Sequence, residues 1–439
     1  MRNRDGFART GPELNRMKQM MHDMMMLRRR LLRAVAILLL CCSWSLISIS
    51  SLYAGSAQRE ETDPAFQSWI DAFYSRAAEQ GISRELYRQA FAGVTAPDKD
   101  VLRKAGYQPE FTREIWDYLD AAVSAGALAE GRVMAKKYRA WLEKISARFG
   151  VGTPFLLAIW SIETRYGSVL ERPERLHYVP RALATLAYGD PSRREFAERQ
   201  LIAALQIVRE GDTDFAGLYG SWAGAMGHTQ FIPTSYQAYG VDMDKDGRRD
   251  IWNSVPDALA TAANLLHTNG WRTGKAWGYE VRVPENGAQY QGKTKTLAQW
   301  RQLGFTRPDG GPFPEPETRA ELKMPAGDRG PGFLCQRNFF IIKRYNNSDF
   351  YALAVSLIAD QLAGKQGMVQ RWPRPPGALF PEEKFELQKL LQAEGLYDGA
   401  IDGDLGSGTR KGIKAFQAEV GMSPDGKPSK AVLEALRKR

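Results

Sequence analysis

Cysteine is nearly missing from this chain: there are three in 439 residues, Cys41 and Cys42 side by side and Cys335 far from both. Beyond residue 57 Cys335 stands alone, which excludes an intramolecular disulfide there. A lone thiol with no supporting motif reads as buried packing rather than as a nucleophile. A basic patch is missing too, despite a formal charge of +10. Residues 1–57 hold nine Lys and Arg against three acids, which leaves only +4 for the other 382 residues. No run of cations interleaved with aromatics stands among those, so nucleic acid is excluded as a partner. The third lack is a long unbroken apolar run. Ala34–Leu52 follows Arg28-Arg29-Arg30, but Ser43, Ser45, Ser48, Ser50 and Ser51 interrupt it, whereas a spanning helix takes about 20 predominantly apolar residues. With the small residues up to Ala57 behind it, the segment reads as an export signal over 1–57, cleaved after Ala57. Membrane association through an uncleaved N-terminus is the alternative. Lipid attachment at Cys41 or Cys42 is a lesser one, because Leu40 stands where a small residue belongs.

What is present is mostly helical pattern. Phe66, Ile70 and Phe73, then Trp116, Leu119 and Val123, recur every three or four residues between Asp63 and about Phe149, as one face of a helix requires. A second helical block runs from Thr153 to about Trp271. Over residues 278–331 the Tyr-Glu-Val-Arg-Val alternation and crowded Gly and Pro predict a small β-rich insertion. Helical periodicity returns at Ser348–Leu362, so one helical domain, 58–364, is interrupted by the insertion. Residues 365–378 are rich in Pro and Gly and read as a semi-rigid linker. Residues 379–439 read as a small three-helix unit with a core near Leu390, Ile401, Phe416 and Leu433. The fold class is mainly α with a minor β part.

One glutamate stands out. Thr153-Pro154 suits a helix start, with Thr153 as the cap, and Gly167 suits its stop. Between them Leu156, Ile159, Trp160 and Glu163 follow i, i+3, i+4, i+7 spacing, so the Glu163 carboxylate lies in line with an apolar stripe. Desolvation and the negative helix end both disfavour its anion, which is what a general acid at neutral pH needs. The plain alternative is an ordinary ion pair with Arg165.

The segment Ile159-Trp-Ser-Ile-Glu163-Thr-Arg-Tyr-Gly167 resembles the catalytic segment of the membrane-bound lytic murein transglycosylase B family. Gly224-Ala-Met-Gly-His-Thr-Gln-Phe-Ile-Pro233 and Arg344-Tyr-Asn346 resemble two further signatures, and the likeness covers roughly 64–364 in order. It implies a lysozyme-like helical domain in the periplasm that cleaves peptidoglycan between N-acetylmuramic acid and N-acetylglucosamine. Glu163 would protonate the glycosidic oxygen and then take the proton of the muramyl C6 hydroxyl, closing a 1,6-anhydro ring. That route needs no cofactor and no second carboxylate, unlike hydrolysis, and nothing marks the nearby Glu171 or Asp214 for such a role. A hydrolytic muramidase and an inactive wall-binding protein are the alternatives. By the same resemblance Ser221, Gln230, Phe231, Tyr345, Asn346 and Tyr351 line the sugar cleft of a monomeric enzyme. Gly224 and Gly227 remove bulk so that sugar can approach, His228 reads as a structural imidazole, and Leu265 stands where some relatives carry a cleft tyrosine.

Asp242-Met-Asp244-Lys-Asp246-Gly247 places oxygen ligands at positions one, three and five of a calcium loop, with Arg248 seventh and Ile251 tenth. The twelfth position is Asn253 rather than Glu. The resemblance supplies Asp257 instead, which would make a structural calcium site. Finally, Leu387-Gln388, Tyr397-Asp-Gly-Ala-Ile-Asp-Gly403, Thr409 and Phe416-Gln417 resemble the common peptidoglycan-binding domain. Its tethering would raise the local concentration of glycan at the cleft. Asp398, Asp402 and Asp404 read as turn formers.

Overall fold

The computed structural model describes residues 62–106 and 114–439. The expected export segment and Cys41 and Cys42 lie outside the described residues. Helices dominate from the start. Pro64–Glu79 begins where the Asp63 side chain accepts the Phe66 N–H (3.0 Å) and buries Phe66, Ile70, Phe73 and Ala77. Its capping carboxylate satisfies an amide that the helix itself cannot. The short helices Arg84–Ala90, Lys99–Ala105 and Ile115–Ala122 and the longer Ala125–Lys137 and Arg139–Phe149 follow.

The helix Thr153–Thr164 runs through the centre, buried on nearly every side from Leu156 to Ser161. Its start and stop differ from the sequence expectation. Gly152 is the cap and Thr153 already lies inside the helix without a capping bond. At the other end the helix stops at Thr164, three residues before Gly167, because Arg165 and Tyr166 both turn left-handed (φ 49° and 56°). Helix Asp349–Leu362 packs against this central helix, and Val179–Gly189, Arg194–Glu210 and Val255–Thr268 complete the helical layer. One core, from Phe66 to Ala359, joins most of them, and Val101 and Ala105 pack in a smaller cluster with Ala182, Leu186, Ala187 and Ala197. Each fully buried aliphatic or aromatic side chain contributes about 1.5–3 kcal/mol relative to exposure.

Two small sheets attach to this body. Strands β1 (His177–Tyr178) and β2 (Tyr219–Gly220) form one antiparallel pair. The second sheet contains β3 (Gly278–Val281), β4 (Thr294–Thr296), β5 (Arg319–Lys323) and β6 (Gly332–Cys335), in the order β3-β6-β5-β4 and antiparallel throughout. It has its own core of Val281, Leu297, Trp300, Phe305, Leu322 and Leu334. The strand β6 lies past Pro331, where the expected insertion ended; its uninterrupted burial hides the period-two signal that revealed β3.

Residues 379–439 fold as three helices, Pro381–Ala393, Ser407–Glu419 and Lys430–Leu436, around Leu387, Leu391, Ile413, Phe416, Val432 and Leu433. The core differs in detail from expectation, since Leu390 only packs at its edge and Ile401 is outside it. Gln388, fully buried, accepts the N–H groups of Asp402 (3.0 Å) and Gly403 (2.7 Å), which fixes the Asp-Gly loop to the first helix.

The Pro/Gly-rich segment before this unit is held down along its length. Glu280 accepts the N–H groups of Val369 (2.9 Å) and Gln370 (2.8 Å), and the Trp372 ring lies 6.1 Å from Phe333. Arg374 pairs with Asp120 at 2.7 Å, with both side chains less than a tenth exposed, and Lys384 reaches the same carboxylate at 2.7 Å. Residues Asp63–Arg439 consequently form one compact unit.

Candidate active site

Glu163 occupies the last turn of the central helix, one residue before it ends, on the line of buried Leu156, Ile159 and Trp160. The helix carries it to the floor of a cavity of about 590 Å³ that Tyr118, Glu130, Arg165, Asn346 and Tyr351 also line. The Tyr351 hydroxyl donates to Oε1 of Glu163 at 2.6 Å. Tyr351 is 2% exposed, and the Tyr345 ring lies nearly parallel to it, 6.2 Å away and tilted by 9°. Tyr345 in turn donates to the Thr229 carbonyl and meets Phe231 edge-on at 5.3 Å. Burial and the neighbouring Glu163 carboxylate push both tyrosine hydroxyls well above their usual range. They are therefore permanent proton donors at any physiological pH.

Of the residues expected in the cleft, Asn346 and Tyr351 share the cavity with Glu163. Tyr345 and Phe231 form the packed layer beside them. Gln230 is held in a left-handed turn (φ 51°), its side-chain amide donating to the Gly227 carbonyl at 2.9 Å. Ser221 accepts the N–H groups of Ala223 (3.3 Å) and Ala225 (3.0 Å) through its hydroxyl. Ser221, Gln230 and Phe231 do not line the cavity that contains Glu163.

The glycines of this segment have a different reason from the one expected. A Cβ on Gly227 would meet the Ile251 carbonyl oxygen at 2.4 Å, and one on Gly224 would meet Leu183 at 2.8 Å. Close packing of the protein on itself demands them, in addition to their positive φ. His228 behaves as a structural imidazole: Trp160 Nε1 lies 3.2 Å from its Nδ1, and burial pushes its pKa down to about 4. Leu265 is buried in the main core.

The sequence reading missed four contributors. Tyr118 and Glu130, the latter's carboxyl raised by burial, come from helices with no motif. Asp402 and Asp404 of the C-terminal unit line the same cavity and face Arg165 at 3.9 and 3.7 Å. Only an unusual density of charged residues in the Asp-Gly loop hinted at these two. Arg165, the suspected partner of Glu163, thus points its guanidinium at the C-terminal unit.

In the acidic loop, ligand atoms of Asp242, Asp244 and Asp257 lie within 4.8 Å of one another. Asp257 is fully buried, and that burial, with Asp244 nearby, raises its pKa to about 6. Three converging carboxylates, one of them costly to ionise alone, fit a hard divalent cation. Asp246 is outside this cluster and accepts the Arg248 N–H at 2.9 Å, so neither residue joins it through a side chain.

A mainly helical body with a single glutamate at the buried end of its central helix, opening into a polar cavity, defines a lysozyme-like glycan-cleaving architecture. Residues 65–360 match the family described as the Transglycosylase SLT domain, and residues 382–436 match the peptidoglycan binding domain. The chain belongs to the lytic transglycosylase family. It is 32% identical over 252 residues to membrane-bound lytic murein transglycosylase B of Escherichia coli K12. That alignment covers 56% of this chain and 66% of the relative, just under two thirds of its length. The crystal structure of SltB3 from Pseudomonas aeruginosa with NAG-anhNAM-pentapeptide is 43% identical. The match covers 85% of this chain and 99% of that one, with a TM-score of 0.67. The Escherichia coli lytic transglycosylase Slt35 in complex with calcium is 27% identical over 69% of this chain and 93% of that one, at a TM-score of 0.57.

Proposed function

We propose that the chain cleaves the β-1,4 bond between N-acetylmuramic acid and N-acetylglucosamine in peptidoglycan, with Glu163 as the only catalytic carboxyl. Glu163 protonates the leaving glycosidic oxygen and becomes a carboxylate. The Tyr351 hydroxyl, already donating to Oε1, stabilises that anion as it forms, because a charge-assisted bond is stronger than a neutral one. Glu163 then takes the proton of the muramyl C6 hydroxyl, whose oxygen attacks C1 of the same sugar. The ring closes as a 1,6-anhydro product and no water is consumed. An intramolecular nucleophile has a high effective concentration, so the second carboxylate of a hydrolase is unnecessary. Asn346 supplies a polar side chain beside the reacting sugar, while Tyr345 and Phe231 brace Tyr351.

The observation that carries this reading is the Tyr351–Glu163 hydrogen bond inside a cavity able to hold a sugar residue. One relative, SltB3, bound in separate structures to NAG-NAM-pentapeptide and NAG-anhNAM-pentapeptide, supports the substrate class. The acidic loop is read as a structural calcium site, with Asp242, Asp244 and Asp257 as its carboxylate ligands and no part in the chemistry. The N-terminal segment is read as an export signal that delivers the enzyme to the periplasm, where it works as a monomer.

The test is product analysis. Purified glycan strands digested by the full chain should release disaccharides lighter by one water than their reducing counterparts. Glu163→Gln should release none while still sedimenting with the strands. Reducing-end products alone would point to a muramidase, and unchanged turnover by Glu163→Gln would remove the glutamate from the mechanism.

A further inference from the structure

Thr164 follows Glu163 as the last residue of the central helix and is fully buried. Its hydroxyl donates to the His228 carbonyl at 2.7 Å and accepts the Gly167 N–H at 3.1 Å. Its own carbonyl accepts the Val169 N–H at 3.2 Å. One small side chain thus closes the helix end and ties it to the Gly224–Pro233 segment. Trp160, one turn earlier on the same face, meets the His228 ring. The two residues after Thr164, Arg165 and Tyr166, are both left-handed, a conformation that non-glycine residues keep only where their surroundings hold it.

The segment that receives the Thr164 hydroxyl is itself anchored. The His228 N–H donates to the Ile251 carbonyl at 2.9 Å, and the buried Thr229 hydroxyl donates to the Ala258 carbonyl at 3.2 Å. The carbonyl after that of His228, on Thr229, accepts the Tyr345 hydroxyl. Tyr345 stacks on Tyr351, and Tyr351 donates to Glu163. Two successive carbonyls therefore hold both halves of the catalytic pair. His228 holds the helix end that carries the carboxyl, and Thr229 holds the aromatic layer that carries its donor. The contacts close a circuit from Glu163 through Thr164, His228, Thr229, Tyr345 and Tyr351 back to Glu163.

We propose that Thr164 is a positioning residue for the reaction: through the His228 carbonyl, its hydroxyl sets Glu163 in register with the Tyr351 donor and the scissile oxygen. The proposal rests on the reading of Glu163 as the catalytic acid and base. Thr164 acts through its neighbour, since Glu163 and Arg165 on either side line the cavity and Thr164 does not. The demand for such a brace is geometric. The last turn of a helix lacks part of its backbone ladder. Glu163 nevertheless has to reach two oxygens in succession, the glycosidic one and the C6 hydroxyl, each within hydrogen-bond distance.

The experiment measures steady-state release of anhydro products from purified glycan strands by the full chain and its variants, with kcat referred to the folded fraction given by melting curves. Thr164→Val keeps the shape and removes the hydroxyl; kcat should fall about thirtyfold, as for a carboxyl displaced by less than about 1 Å, with KM changed less than about twofold. Thr164→Ser keeps the hydroxyl and should return kcat to within about threefold of the wild type. Thr164→Val combined with Tyr351→Phe should be about as slow as the slower single variant, because both changes undo one alignment. Thr164→Cys, close in shape and a weak donor, repeats the comparison if the valine chain fails to fold. Wild-type kcat in folded Thr164→Val, a loss that serine does not restore, or fully additive losses in the double variant would each overturn the proposal. So would a raised KM at constant kcat, since the hydroxyl would then shape binding. A wild type that yields no anhydro product, or full turnover by Glu163→Gln, would instead defeat the assignment of function, and the positioning role with it.

Discussion

The Tyr351 hydroxyl donates to Oε1 of Glu163 at 2.6 Å across 188 residues of chain. It joins the end of the central helix to the first turn of Asp349–Leu362, whose own N-terminus Ser348 caps by accepting the Tyr351 N–H at 3.3 Å. The same residue is therefore fixed at both its backbone and its hydroxyl.

Tyr351→Phe removes the hydroxyl and keeps the ring stacked on Tyr345. We expect kcat for release of anhydro products to fall by about tenfold or more, as for the loss of one donor to a developing anion. KM and the melting temperature should stay close to wild type. Steady-state assays with calorimetry check this, and an unaltered kcat would mean that the bond only organises the resting enzyme.

Asp120→Asn leaves Arg374 and Lys384 without their shared buried carboxylate. Breaking such a pair costs on the order of 3 kcal/mol because the remaining charges stay buried. The loss should appear in urea denaturation and as new trypsin cleavage after Lys365 and Arg371. It should also free the Asp402–Asp404 loop from Arg165. Resistance to trypsin equal to the wild type would show that apolar contacts alone hold the segment.

His228 gives a pH signature. Burial lowers its pKa from an ordinary 6.5 to about 4 in the folded chain. The unfolded chain thus takes up a proton at higher pH than the native one does, and stability from this group is complete above 6.5. It drains away as pH falls from 6.5 towards 4. His228→Asn should flatten that part of the curve measured by chemical denaturation between pH 7 and pH 5; an unchanged slope would assign it to other groups.

Calcium should raise the melting temperature of the wild type, by the linkage that makes any native-state ligand stabilising. Asp244→Asn removes an exposed ligand whose only side-chain donor is Ser254, at 2.6 Å, so the fold should survive and the calcium-induced rise should vanish. Product release should continue in both proteins after chelation, since Glu163 needs no metal.

The sequence by itself determined the helical framework and the position of Glu163, because 3.6-residue periodicity and local spacing are properties of neighbouring residues. The i, i+3, i+4, i+7 line of Leu156, Ile159, Trp160 and Glu163 is readable without any fold. So are the convergence-prone spacing of Asp242 and Asp244 and the three-helix character of the C-terminal unit. Helix ends were less legible: Arg165 and Tyr166 adopt left-handed backbone that their side chains do not advertise. What only the tertiary structure decided is who faces whom. The composition of 365–378 describes a semi-rigid linker, yet Arg374 finds its buried carboxylate on a helix 254 residues earlier. Asp402 and Asp404 look like turn residues and become a wall of the cavity around Glu163. The glycines at 224 and 227 signal close approach, but only packing shows that the approaching groups are Leu183 and Ile251 rather than a sugar. Spacing along a chain fixes which face a side chain takes, while long-range burial of charge and apolar surface fixes what that face meets.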